Sequence, residues 1–193
     1  TGQVWFDSTN LDFKYLFPTT VASWRTTASL NTARYAAGDQ IGSSSSGMVA
    51  GGSPALTNAE NWNGSSWTEV NDLNTGRTSI AGAGTYTAGL MYVGYAGGVV
   101  ANTESWNGSA FSEVADLNTA RYGSGAGGDQ TAAICSGGNQ VTNTETWNGS
   151  AWTEVNDMNR GKRNQKGSGT STANVCFGGY YPGATYGTNE TEL

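Results

Sequence analysis

The chain has 193 residues, enough for a domain with a substantial core, and a formal net charge of −6 from 9 Lys and Arg against 15 Asp and Glu. The acidic balance argues against a nucleic-acid partner, whose phosphates are met by Lys and Arg, and no 18-residue apolar run suits a membrane-spanning helix. With no His, imidazole acid–base catalysis, His-containing triads and His-ligated zinc are excluded, and 29 Gly, 7 Trp and 9 Tyr with only 12% charged residues exclude a coiled coil or a charged disordered tail.

The first element is a leader, residues 1 to 19. Its segment "GQVWFDSTNLDFKYL" alternates apolar and polar positions on either side of "DSTN", which predicts a short β-hairpin with Trp5, Phe13 and Tyr15 as its apolar positions. No signal peptide is recognisable, and the first residue is Thr, which suggests a fragment or a processed chain.

From residue 20 the chain repeats itself. An aromatic stands six residues before Leu or Met four times: Trp24 before Leu30, Trp67 before Leu73, Phe111 before Leu117, Trp152 before Met158. The four Leu/Met positions lie 43, 44 and 41 residues apart, a period that belongs to propeller blades or helical arrays. Gly pairs, Asn-Gly dipeptides and Thr/Val/Trp alternation are strand-and-turn patterns, so helices are excluded. Each unit reads as a small-residue strand, a Gly-rich turn, a second strand ending in Gly-Gly, and two strands joined by Asn-Gly. That dipeptide predicts a type I′ hairpin with positive φ at both residues. Inner strands almost free of bulky side chains and outer strands carrying Trp62, Trp106 and Trp147 describe a wedge, small where blades crowd an axis and large where they diverge.

The order Arg, apolar strand, Gly-Gly, Glu-x-aromatic, Asn-Gly, Trp, Leu/Met, Arg resembles the kelch repeat. The resemblance covers residues 20 to 193 and puts Gly51-Gly52, Gly137-Gly138 and Gly178-Gly179 at the paired glycines. It puts Trp62, Trp106 and Trp147 at the family's Tyr position, Trp24, Trp67, Phe111 and Trp152 at its Trp position, and Arg34, Arg77 and Arg121 at its Arg position. The second unit departs, with Val93-Gly94 in register and a small insertion behind it, and the fourth has Lys162 in place of Arg. The Gly- and Asn-rich wording further resembles repeats in structural proteins of tailed bacteriophages, marine and cyanobacterial ones in particular, and the leader resembles hairpins that precede modules in phage fibre proteins.

The expected architecture is therefore an all-β, kelch-like propeller of four-stranded antiparallel blades, at about 34–76, 77–120, 121–161, and 162–193 completed by 20–33. The fourth unit stops in "TNETEL", with Leu193 expected on the Trp62/Trp106/Trp147 position. The strand around Trp24 is expected beside Thr191, closing the ring and hiding both edges. The alternative is a longer chain with further blades.

Glu60, Glu104 and Glu145, each two residues before an aromatic, are expected to pair with Arg34, Arg77 and Arg121 between blades, a structural rather than a catalytic role. Asp72, Asp116 and Asp157 read as turn residues. The Asn-Gly-Ser sequons at Asn63, Asn107 and Asn148 are explained by hairpin geometry. Cys135 and Cys176 occupy one repeat position and read as buried free thiols, with a disulfide as the alternative. Features that do not repeat are the better site candidates: "MYVGYAGGVV" adds Tyr92 and Tyr95, and "GGYYPGATYGTN" adds Tyr180, Tyr181 and Tyr186, all expected in loops on one face.

These readings lead to a non-enzymatic virion component, a fibre, tail or decoration protein on an extracellular phage particle. No cofactor and no metal is expected. The expected partners are other virion proteins, a second copy of the chain, and a host surface glycan, with no nucleic acid and no membrane insertion. The alternative is a carbohydrate-binding or adhesion module on a bacterial surface; a propeller enzyme fits least.

Overall fold

The computed structural model of the chain describes residues 4–7, 12–15, 26–37, 41–183 and 187–193, and among these there is no helix. Strands β1 (Val4–Asp7) and β2 (Asp12–Tyr15) form an antiparallel hairpin with Val4 opposite Tyr15 and Asp7 opposite Asp12. The remaining strands make four antiparallel sheets, each running in chain order. Sheet one holds β3 (Ile41–Gly42), β4 (Gly47–Ala50), β5 (Ala59–Trp62) and β6 (Trp67–Val70). Sheet two holds β7 (Ala81–Thr85), β8 (Ala88–Tyr95), β9 (Val99–Trp106) and β10 (Phe111–Glu113). Sheet three holds β11 (Gly125–Gly128), β12 (Ala133–Ser136), β13 (Thr144–Trp147) and β14 (Trp152–Val155). Sheet four has three described strands, β15 (Lys166–Gly169), β16 (Asn174–Phe177) and β17 (Thr191–Glu192).

The arrangement is propeller-like. The first strands β3, β7, β11 and β15 border a common channel of about 330 Å3, walled mainly by glycine and alanine. Small residues are required there because neighbouring inner strands nearly touch: a Cβ at Gly167 would collide with the backbone of Ala126. No strand pairing joins sheet one to sheet four among the described residues. Trp24, expected to lie beside Thr191, is outside the described residues.

Successive units are fastened by one recurring joint. In sheet two the Glu104 carboxylate, fully buried, accepts from the Asn74 amide at 2.7 Å, from the Asn74 side chain at 2.9 Å and from Arg77 at 2.5 Å. Asn74 and Arg77 belong to the segment leaving sheet one. Glu145 accepts from the Asn118 amide at 2.8 Å and pairs with Arg121 at 3.1 Å; Glu60 accepts from the Asn31 amide at 2.7 Å and from Arg34 at 2.6 Å. In the fourth unit Glu192 accepts from the Asn159 amide at 2.7 Å and faces Lys162 at 3.1 Å. The Gly pairs add a main-chain tie: the Gly52, Gly94 and Gly138 amides each donate, at 2.9 Å, to the carbonyl of Arg77, Arg121 and Lys162 in the next unit. Val93-Gly94 thus stands in the Gly-Gly register, with Val93 held at φ 54°.

The Glu192 joint corrects the register expected for the fourth unit. Cys176 pairs with Glu192 as Cys135 pairs with Glu145, so Leu193 falls one position short of the tryptophan site. With Leu193 on the tryptophan position Thr191 would be the glutamate equivalent, whereas the joint needs a carboxylate there.

Outer-strand aromatics stack in pairs: Trp62 with Trp67 at 5.3 Å, Trp106 with Phe111 at 4.7 Å, Trp147 with Trp152 at 5.6 Å. The first indole of each pair donates to a turn carbonyl of its own sheet, Ser44, Tyr86 or Gln130. Trp106 and Phe111 bury themselves among Ile41, Met48 and Leu73 of the preceding sheet, and Trp147 and Trp152 among Leu90, Tyr92 and Leu117. Trp62 is only half-buried, unlike its two equivalents; among the described residues it and Trp67 border a cavity of about 510 Å3 with Thr27 and Met48.

The Asn-Gly turns also differ from the type I′ expectation. Only Gly64, Gly108 and Gly149 take positive φ, of 93°, 92° and 92°. The preceding Asn uses its side chain instead: Asn63 Oδ1 accepts from the Ser65 and Ser66 amides at 3.0 and 2.9 Å.

Trp106→Ala should lower stability by about 3–5 kcal/mol and Trp62→Ala by less, read from urea unfolding. Equal losses would mean that Trp62 also has a packed partner. Glu104→Ala should cost about 3–5 kcal/mol by stranding Arg77, and Glu104→Leu combined with Arg77→Met should cost less than either single change. For Glu60 and Glu192, burial pushes the pKa up, but hydrogen bonds from Asn31 and Thr32, and from Asn159 and Lys162, outweigh it and leave both below the ordinary carboxylate range. A depressed folded pKa gives stability that is present above the unfolded value and lost as pH falls through the folded one. Stability measured by unfolding from pH 7 downward should therefore hold to near the ordinary carboxylate range and fall below it; no acid loss would contradict the joint.

Candidate functional site

After Arg34, Arg77, Arg121 and Lys162 the backbone makes the same step in each unit. The next residue in three of them bridges the segment after the second strand: Tyr35 to Ser53, Thr78 to Tyr95, Arg163 to Tyr180. The residue after that is left-handed in all four, Ala36 at φ 50°, Ser79 at 53°, Gly123 at 62° and Asn164 at 56°. A side chain in that region costs of order 1 kcal/mol, and here neighbouring units hold it: the Ser79 amide donates to Ala36 at 2.8 Å and the Gly123 amide to Ser79 at 3.2 Å. These four residues encircle one mouth of the channel, a cavity of about 520 Å3.

The scaffold repeats but the mouth does not. Leu30 before the first unit, with Ala37, Val49 and Ile80 of the first two units, supplies an apolar wall, and the last two units supply Ser124, Asn164, Gln165 and Lys166. None of the described lining residues is a carboxylate. Gln165, 1% exposed, donates to the Ser136 carbonyl at 2.6 Å and is fixed in place.

Tyr35 lines the mouth, and further aromatics stand at or beside the bridged positions. Tyr35 is 74% exposed and Tyr95 44%. Tyr95 meets Tyr122 edge-on at 6.0 Å, the Tyr122 hydroxyl accepts a long bond of 3.4 Å from Arg163 Nη1, and the Arg163 guanidinium lies 4.9 Å over the Tyr180 ring. Arg160 lies 4.4 Å over Tyr181 and pairs with Glu190 at 3.0 Å.

Of the tyrosines singled out in the sequence, Tyr95, Tyr180 and Tyr181 are placed on this side of the molecule. Tyr92 is not a loop residue: it is fully buried in β8, its ring 4.9 Å from Trp152 and its hydroxyl donating to the Ile134 carbonyl at 2.8 Å. Tyr92 immediately precedes Val93-Gly94 and so stands at the position of Ala50 and Ser136, which are buried too. Tyr186 lies outside the described residues. Sequence reasoning missed Tyr35, Tyr122 and Arg163. The signal was present, since the position after the repeated cation reads Tyr, Thr, Tyr, Arg where its neighbours repeat.

The cysteines are not nucleophile candidates. Both are buried free thiols, and burial raises the pKa of each; at Cys135 this outweighs the nearby Arg121 guanidinium. Among the described residues no three His, Cys, Asp or Glu side chains converge as a metal site would require. What the mouth offers is stacking surface, amides, hydroxyls and cationic groups.

No family model matches the chain, and no curated protein matches it in sequence. Among solved structures it is similar to one titled "Structure of YjhT", with a TM-score of 0.73 over 98% of this chain and 76% of that chain at 11% identity. At that identity the likeness is one of fold.

Because Arg163 and Tyr122 are part-exposed at the rim, Arg163→Gln and Tyr122→Phe should each change stability by no more than about 0.5 kcal/mol, whereas Arg121→Gln, which strands buried Glu145, should cost about 3–5 kcal/mol. Thermal unfolding checks both; a large loss at Arg163 would make it a scaffold residue.

Proposed function

We propose that the chain is a non-enzymatic binding and display module built as a kelch-like propeller, a structural or appendage component of a phage virion that contacts a host surface glycan through the channel mouth. The observation that carries the reading is Tyr35 at the mouth, with Tyr95, Tyr122 and Tyr180 at or beside the bridged positions next to it, where the repeat varies. Planar rings over an amide- and hydroxyl-lined depression suit sugars, which present a C–H face to stack and hydroxyls to pair. The resemblance of the repeats to tailed-phage structural proteins supports the virion setting. An adhesion module of a bacterial surface is the second reading, favoured by the same rim.

The proposal includes a closed ring of four units. Asn31, Thr32 and Arg34 hold Glu60 as Asn74, Thr75 and Arg77 hold Glu104, so the chain enters sheet one as it enters sheet two from the sheet before. A cavity of about 320 Å3 bordered by Thr144, Met158, Cys176 and Glu192 supports the same view. At the preceding joint the corresponding Thr103 receives the Trp152 indole at 3.1 Å. The strand around Trp24 is the proposed occupant and the fourth strand of sheet four.

Two measurements test this reading. Residues 1–18 should be removable without loss of fold, while removal of 1–29 should unfold or oligomerise the protein; a stable monomer lacking 1–29 would rule out the ring. A glycan array read for binding, with NMR of the captured sugar, should give retention of an unchanged saccharide. Chemical conversion of the sugar would make the protein an enzyme, and no retained glycan would end the binding reading.

A further inference from the structure

Three joints are closed by an arginine and one by a lysine, and the difference reaches beyond charge. Arg34, Arg77 and Arg121 each divide their fork between the joint glutamate and main-chain carbonyls in or next to the second strand of the same sheet. Those carbonyls are Gly51 at 2.9 Å, Val93 at 3.0 Å with Met91 at 3.2 Å, and Cys135 at 3.2 Å. In these three ion pairs neither side chain is more than 1% exposed. Lys162 is buried as deeply, but its ammonium meets only carboxylates, Glu192 at 3.1 Å and Glu190 at 3.6 Å, which are 16% and 36% exposed. It donates to no carbonyl among the described residues. A compact ammonium cannot span glutamate and strand together as a planar guanidinium does. Three residues on, Gln165 stands where Ile80 packs into the core between sheets one and two. Gln165 Nε2 donates to the Ser136 carbonyl at 2.6 Å, but Oε1 is buried without a hydrogen-bond partner among the described residues. A buried acceptor left unmade opposes the closed arrangement, because opening returns it to water.

We infer that unit four is the gate of the molecule: sheet four opens from sheet three as a body while sheets one to three stay joined. Opening hydrates the Lys162 ammonium and Gln165 Oε1, which are poorly served when closed, whereas opening at Arg77 or Arg121 breaks the guanidinium's bonds to strand carbonyls as well. Unit four supplies Asn164, Gln165 and Lys166 to the channel mouth and unit one supplies Ala36 and Ala37, so the movement changes the width of that mouth. The gate is independent of what the mouth binds.

The chain carries its own reporters. Cys176 Sγ lies against sheet three, 2.6 Å from where a Cβ on Gly125 would stand, and Cys135 lies in the core with Ala81, Ala83 and Leu90 of sheet two. Each thiol is sealed by the preceding sheet and reports on that seam. The test is alkylation of the folded full chain by N-ethylmaleimide, with the rate at each cysteine read by peptide mass. Expected is alkylation of Cys176 at least about tenfold faster than of Cys135, the scale of one hydrogen bond to a charged group. Lys162→Arg, which supplies the fork of the other joints, should slow Cys176 about tenfold and leave Cys135 unchanged. Equal rates at the two thiols overturn the inference. A faster Cys176 whose rate Lys162→Arg leaves unchanged also overturns it, because the residue's 4% exposure then accounts for the difference. Should the arginine variant not fold, hydrogen exchange of the unaltered chain decides. The Asn159 amide, which donates to Glu192, should exchange by local opening, faster than the Asn118 amide on Glu145; exchange as slow as at Asn118 overturns the gate.

Discussion

The structure depends on a buried carboxylate, sealed from water at Glu60, Glu104 and Glu145 and 16% exposed at Glu192 in the fourth unit. In each unit a glutamate on the third strand is surrounded by donors from the segment that leaves the unit before: an asparagine amide, the asparagine side chain, and an arginine or lysine. An ion placed there without these partners would cost several kcal/mol, so the joint makes the folding of one unit conditional on the next. That dependence explains why the sentence Asn-Thr-x-Arg and the Glu about 26 residues later recur together. It also explains why the Gly-Gly amides reach across to the carbonyl of the same cation-bearing residue. Side chain and main chain fasten the same two surfaces.

Given the joint, the rest of the wedge follows from space. Towards the channel the sheets converge until a Cβ at Gly167 would collide with the Ala126 backbone, so inner strands are written in glycine and alanine. Towards the periphery they diverge, and stacked aromatic pairs fill the gap against the preceding sheet. The mouth of the channel lies outside both demands. The positions that follow the repeated cations, Tyr35, Thr78, Tyr122 and Arg163, lie beside that mouth with part or more of their surface exposed, and there the four units differ.

Much of this was legible in the sequence because repetition reveals what packing requires. The period, four strands per unit and the recurring Glu and Arg could all be read from residues that must be the same in every unit. Three details escaped for physical reasons. Leu193 is one residue off because an apolar residue closing "TNETEL" reads as the tryptophan position, which would put Thr191 where the buried joint needs the carboxylate of Glu192. Tyr92 reads as an aromatic in an insertion, but it precedes Val93-Gly94 and occupies the buried end of the second strand, as Ala50 and Ser136 do. Tyr35, Tyr122 and Arg163 went unremarked because their significance is relational: each stands at one repeat position, and only the ring of left-handed residues beside them shows that the position faces an opening.

The claim that the joints hold the molecule together is tested most directly by native-state hydrogen exchange at the Asn74 and Asn118 amides, which donate to Glu104 and Glu145. They lie in connecting segments outside the strands, where amides ordinarily exchange through local opening of low free energy. The account predicts that both exchange as slowly as core amides of β8 and β12, and only through global unfolding. Exchange at the rate of exposed loops, with the strands still protected, would contradict it.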